Sequence, residues 1–172
     1  HLWACLGLHP NYTNEKNFDE AAFETLVTSP KVVGVGECGL DYFRPEGDME
    51  EIKKKQFAEL EKQVQFAHKH DKALMVHCRP SKNSMDAYRD FADFVEPYAK
   101  EGLKGNMHFF VGNLEIAQRF WNMGFTTSFT GVLTFTEEYN EVVKAAPEGM
   151  ILTETDAPYA APVPHRGKTN KP

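Results

Sequence analysis

Apolar and β-branched residues gather into six short runs along the chain, at residues 3–8, 32–36, 73–77, 105–110, 125–129 and 150–153. Each run has the length of a strand. Between them the spacing becomes helical. Phe57, Leu60, Val64 and Ala67 fall on one face, and Phe91, Phe94, Val95 and Tyr98 on another, because side chains three and four apart line up along a helix. Residues 113–123 carry Ile116, Ala117, Phe120 and Trp121 as a buried stripe and stop before Gly124, a residue suited to the left-handed position past a helix end. Thr136 is expected to cap a shorter helix running through Ala145.

Strict alternation of strand and helix predicts a parallel sheet with helical crossovers, either an open doubly wound sheet or a barrel, and periodicity does not choose between them. The chain has no internal repeat and no low-complexity tract. Its Pro-rich stretch, residues 157–172, follows the last strand as a long loop, and loops of that length often carry function. A length of 172 residues is in the range of one domain, and residues 1–172 are read as one. His1 is not a translation start, so the N-terminus is expected to be a cut, and nothing visible resembles a signal segment.

In parallel β/α folds the site assembles at the carboxyl ends of strands, so a metal-ligand residue type closing an apolar run is informative there. Four runs close that way, on Glu37, His77, His108 and Asp156, and Leu-Gly-Leu leads into His9. Carboxylates and imidazoles brought together from different strands are what a pair of divalent cations needs. A metal ion lowers the pKa of bound water to about 7, and a second can stabilise the leaving oxygen of a phosphoester. A lone His after a strand is more often a hydrogen-bonded structural residue, and for His9 that reading is preferred. For the other four, independent structural explanations would need four separately satisfied polar groups at one sheet edge. The joint reading is a metal site.

Composition narrows the setting. No run of about 18 apolar residues occurs, so no membrane span is expected. The formal charge of −6 argues against wrapping duplex DNA through a broad basic face; any nucleic-acid contact should be local and metal-assisted. Cys5, Cys38 and Cys78 are odd in number and widely spaced, which argues against a disulfide framework and for a reducing, cytoplasmic setting. Gly34, Gly36 and Gly39 match the spacing of a dinucleotide-binding loop. The context is wrong: Asp41-Tyr42-Phe43-Arg44-Pro45 separates them from a helix that begins near Met49, and Glu37 would set a carboxylate beside the pyrophosphate.

Taken together, the segments GLHP at 7–10, GVGECGLDYF at 34–43, MVHCR at 75–79, MHFFVG at 107–112, FTGVLTF at 129–135, ETDAPY at 154–159 and PHRGKTN at 164–170 resemble those of the TatD-related metal-dependent deoxyribonucleases, amidohydrolase-like TIM barrels. The resemblance implies an α/β fold of the TIM (β/α)8 type, incomplete here, with about six β/α units matching strands three to eight and the first two strands and final helix absent. It implies that Glu37 bridges two divalent ions (zinc, manganese or magnesium), that His77 and His108 bind one ion, and that Asp156 binds the other and orients or deprotonates the attacking water. Glu37 and Asp156 are then the catalytic pair. His9, Arg79 and Glu154 match positions that line the site for substrate. Arg79 suits a phosphate clamp, since guanidinium donors fit phosphate oxygens bidentately. Arg166 and Lys168 are expected to tie down the last loop.

The implied activity is hydrolysis of single-stranded or frayed DNA, from chain ends, by a monomer. Rival readings are an amidohydrolase-like enzyme acting on a small ester, amide or phosphoester, and an inactive truncated scaffold. Three departures from the family pattern stand out: the His-x-His pair of the family's opening strand is expected to be missing from the whole chain, Lys171 replaces an acidic residue, and Phe109 replaces a Cys.

Overall fold

Six parallel strands, β1 (Ala4–Leu6), β2 (Val32–Asp41), β3 (Ala73–Arg79), β4 (Gly105–His108), β5 (Thr126–Phe129) and β6 (Ile151–Thr153), form one sheet in a computed structural model that describes residues 2–44 and 46–172. The expectations placed on His1 and Pro45 lie outside the described residues. The strands pair strictly in chain order, β1 to β6. A doubly wound sheet reverses its order at a switch point, so unreversed order is that of a barrel. Among the described residues β1 and β6 are the two edges, so six strands leave the barrel open, as expected. Helices α1 (Glu20–Val27), α2 (Met49–Lys69), α3 (Asp86–Lys100), α4 (Leu114–Asn122) and α5 (Asn140–Ala145) connect them.

Local chemistry explains the helix limits. Asp48 accepts from the Glu51 amide (3.0 Å) and Asn113 from the Ile116 amide (3.0 Å), so α2 and α4 each begin on a side-chain cap. Gly124, at φ 81°, turns the chain out of α4 into β5. The apolar stripes read from the sequence face the core, where Leu60, Val64, Ala67, Phe91, Val95, Ala117 and Phe120 are buried.

Three elements differ from expectation. α1 was not anticipated: only Val27 is buried within it, so it lacks an apolar stripe, although Asp19 caps it by accepting from the Ala22 amide (3.0 Å). Thr136 accepts from the Glu138 amide (3.2 Å) in a turn ahead of α5, which starts at Asn140. Most important for the site, β2 does not end before Glu37 but runs on to Asp41, with Cys38 and Leu40 fully buried. Its register with β3 shifts between Gly36 and Cys38, which pair with Met75 and Val76, so Glu37 is the extra residue of a bulge and projects out of the ladder. Gly36 and Gly39, at φ 154° and 142°, sit so close to β3 that a Cβ would strike the carbonyl oxygens of Met75 and His77. Their spacing reflects strand packing rather than a phosphate loop.

The stretch after β6 is a long loop with no helix or strand. Asn170 ties it back: its amide donates to the Pro158 carbonyl (2.9 Å) and its side chain to that of Thr155 (2.5 Å), bracketing Asp156. Arg166 packs its guanidinium on the Phe135 ring at 3.4 Å, a loop-anchoring contact.

Candidate metal centre

One carboxylate oxygen is the focus of three strand ends. Glu37 Oε2 lies 3.8 Å from His9 Nε2, 3.8 Å from His77 Nδ1 and 3.9 Å from His108 Nε2. Asp156 joins from the loop after β6, with Oδ1 3.4 Å from His108 Nε2. Two donors held about 2.1 Å from one ion at a tetrahedral angle lie about 3.4 Å apart, so these spacings suit donors converging on a cation. Donor atoms of His9, Glu37 and His77 all lie within 4.8 Å of one another.

The far nitrogens of the rings decide which can serve as ligands. His77 Nε2 donates to Asp41 Oδ2 (2.9 Å), and His108 Nδ1 donates to Glu154 Oε2 (2.5 Å). Each carboxylate fixes a tautomer whose unprotonated nitrogen faces Glu37, as the outer partners of metal-bound histidines do. His9 differs. Its Nδ1 accepts from the Asn11 amide (3.2 Å) as it caps the 3₁₀ turn Pro10–Tyr12. A neutral ring accepting there carries its proton on Nε2, so His9 faces Glu37 as a hydrogen-bond donor.

Electrostatics agree with a cation-seeking pocket. Burial works against charge on His108, yet hydrogen bonding and charge from Glu154, then Glu37 and Asp156, raise its pKa above the ordinary imidazole value. Three carboxylates favouring positive charge at one point is what a bound cation would satisfy. Burial and the neighbouring His77 ring push His9 down to about 4, so it is neutral. Burial raises Asp156, helped by Glu154. Asp41 and Glu154 resist the upward pull of burial, because their bonds to His77 and His108 hold both carboxyls below the usual range. The donor set therefore fits a divalent ion.

Two buried glutamines of α2 hold the loops that carry this chemistry. Gln63, 1% exposed, accepts from the Leu8 amide (2.7 Å) and donates to the Leu8 carbonyl (3.1 Å), next to His9. Gln56, 3% exposed, makes the same pair of bonds to Asp41 (2.9 and 3.0 Å). Between them Glu59 accepts from the Phe18 amide (2.6 Å).

Glu37, His77, His108, Asp156, His9 and Arg79 all line a cleft of about 1030 Å³, together with Asp41, Phe43, Lys82, Phe109, Tyr139 and Tyr159. Glu154 does not line it: both its oxygens are taken, by His108 and by the Phe109 amide (2.6 Å). Asp41, Gln56 and Gln63 were missed from the sequence. Asp41 lies in the quoted GVGECGLDYF segment, and Gln56 and Gln63 sit seven apart on the helix face that also carries Leu60 and Val64, the available signal for both. The expected lack of a His-x-His pair needs one correction: His68-Lys69-His70 has that spacing. It ends α2, however, where the two rings meet Glu101 (3.3 Å) and Glu24 (3.1 Å).

An unreversed parallel β/α sheet with carboxylates and imidazoles converging at its strand ends defines the class of β/α barrels with a candidate metal centre on the strand-end rim. Comparison with known sequences is specific within that class: a model of the TatD-related DNase family matches residues 1–172, and the chain belongs to that family. The metal-dependent hydrolase YabD of Bacillus subtilis is 33% identical over 177 residues, covering 99% of this chain and 64% of its own. The crystal structure of YJJV, a TatD homologue from Escherichia coli, matches with a TM-score of 0.80 at 28% identity, over 99% of this chain and 64% of that one. An amidohydrolase from Saccharomyces cerevisiae shares the fold at 22% identity, with a TM-score of 0.70 over 92% of this chain and 57% of that one. The chain thus spans just under two thirds of the length of YabD and of YJJV.

Proposed function

We propose that this centre hydrolyses phosphodiester bonds of single-stranded or frayed DNA from chain ends, using two divalent ions held by Glu37, His77, His108 and Asp156. The observation that carries the reading is the ring of three imidazole nitrogens around Glu37 Oε2, two of them on rings whose far nitrogens are held by carboxylates. Ions bound there would acidify water and offset phosphoryl charge. The chain's own residues do the rest. Asp156, the carboxylate made more basic by burial, orients the attacking water and takes its proton on the oxygen turned away from the ion. As water adds to phosphorus, the bond to the leaving oxygen breaks, that oxygen takes up the proton held by Asp156 through solvent, and the His9 Nε2–H is a donor available to a phosphoryl oxygen. Arg79 receives the nonbridging oxygens. Asp41 and Glu154 act as positioning residues through His77 and His108.

The family match supports DNA as the substrate class. No helix among the described residues is long and apolar enough to cross a membrane. Cys5, Cys38 and Cys78 are free, which supports the proposed reducing, cytoplasmic setting. The test is a substrate panel in manganese, magnesium or zinc: single-stranded oligonucleotide, blunt duplex, and small cyclic amides and esters. Metal-dependent shortening of the oligonucleotide, faster than of the duplex, is expected. Turnover of an amide or ester with every oligonucleotide left intact would instead establish the small-substrate hydrolase.

A further inference from the structure

Phe43 and Arg44 follow the end of β2, and Arg79 closes β3, so the two arginines approach one aromatic ring from different strands. The Arg79 guanidinium carbon lies 4.0 Å from the Phe43 ring centroid and that of Arg44 lies 4.8 Å from it. A guanidinium resting on an aromatic ring is fixed in orientation without using its N–H donors. Among the described residues neither guanidinium makes an ion pair or hydrogen bond, although both residues are exposed. Arg119 behaves otherwise, bound to Asp93 (2.5 Å) and Glu96 (3.4 Å). Two guanidiniums are therefore held on one ring with their donors free.

Their place in the molecule gives the cluster a use. Asn11, Asp41, Phe43 and Arg79 line both the main cleft of about 1030 Å³ and an adjoining cavity of about 450 Å³, whose wall also includes Arg44. A ligand that reaches the metal centre and continues outward along this side passes the two guanidiniums. Glu15 and Glu46 also line the side cavity, so attraction for an anion there depends on the arginines.

We propose that Arg44, resting on Phe43, forms a phosphate subsite for the nucleotide next to the one being cut, outward of Arg79, which takes the phosphate that is cut. The proposal rests on the DNA reading above. It explains how a chain of net charge −6 can hold a polyanion: the contact is confined to a few fixed donors beside the centre, and each phosphate contact adds a defined increment to the salt dependence of binding.

The experiment measures binding of a fluorescent single-stranded octanucleotide to the intact protein in chelator, across salt concentrations, so that cleavage plays no part. Arg44→Ala is expected to weaken binding severalfold and to flatten the salt slope by about 0.7, the increment for one single-strand phosphate contact. Arg44→Lys, which keeps the charge but loses the planar fork, is expected to recover the slope and only part of the affinity. Inorganic phosphate and a mononucleotide serve as competitors, and both should displace the octamer poorly. Wild-type affinity and slope in Arg44→Ala would overturn the subsite while leaving the nuclease standing. Displacement by inorganic phosphate as effective as by the octamer, phosphate for phosphate, would reduce it to a free-anion site. If the wild-type protein neither binds the octamer nor cuts it with any metal, the DNA reading itself has failed.

Discussion

Glu37 owes its position to being the residue that the β2–β3 ladder skips, and its surroundings owe theirs to carboxylates on the far side of two histidines. That outer layer is testable. Asp41→Asn and Glu154→Gln each keep the shape of the side chain but weaken the hold on His77 and His108, and each should lower metal affinity by about 10- to 100-fold, measured by metal titration of chelator-stripped protein. Unchanged affinity in both would show that the two carboxylates do not position ligands. His9 supplies a pH signature of the metal-free protein. Its folded pKa of about 4 lies below the ordinary imidazole value of 6.5, so between these values the unfolded chain binds the proton first and stability falls as pH drops. His108, raised in the fold, gives its full contribution below 6.5 and adds no slope there. Urea unfolding should show wild-type stability falling by up to about 1.4 kcal/mol per pH unit more steeply than His9→Gln between pH 6.5 and 4; parallel curves would contradict it. Glu37, His77, His108, Asp156 and His9 were legible as candidates because their types stand out against apolar runs. Asp41 was not, since its role depends on β2 continuing through a bulge that no periodicity announces.

At the scale of elements, α2 does more than cover the sheet. Its buried face carries Gln56, Glu59 and Gln63 beside Leu60 and Val64; the glutamines grip Asp41 and Leu8 through paired backbone bonds, and Glu59 holds the Phe18 amide. Gln63→Ala leaves the Leu8 amide and carbonyl without partners, and unsatisfied buried groups cost about 1–3 kcal/mol each. A loss of at least about 1 kcal/mol in urea unfolding is expected, and a neutral result would mean that water replaces the glutamine. Polar positions on a helix ordinarily face solvent, which is why the sequence did not single these out: only the packed structure reveals what they hold. α2 to α4 were legible from their apolar stripes, whereas α1, with one buried residue, offered too little contrast to be seen.

On the scale of the whole molecule, strand order carries the most information. Sequence periodicity left open sheet and barrel unresolved, and the resemblance to TatD-related proteins favoured the barrel. The unreversed order β1 to β6 meets that expectation, and it gathers every strand-end group on one rim. A cleft at such a rim, walled by Arg79 and Lys82 on one side and Phe109, Tyr139 and Tyr159 among its aromatic residues, suits a single strand offering phosphates and bases at once. A strand end enters such a cleft more readily than a continuous duplex. Covalently closed single-stranded circles should accordingly resist degradation while the linearised strand is consumed; rapid cutting of circles would make the enzyme an endonuclease.

The central claim is that Glu37 organises a metal centre that cuts DNA. The most direct measurement follows an end-labelled single strand incubated with the intact protein in manganese, magnesium or zinc, against chelator, with Glu37→Ala in parallel. The account predicts metal-dependent shortening by the wild-type protein and none by Glu37→Ala. Full activity in Glu37→Ala would contradict it.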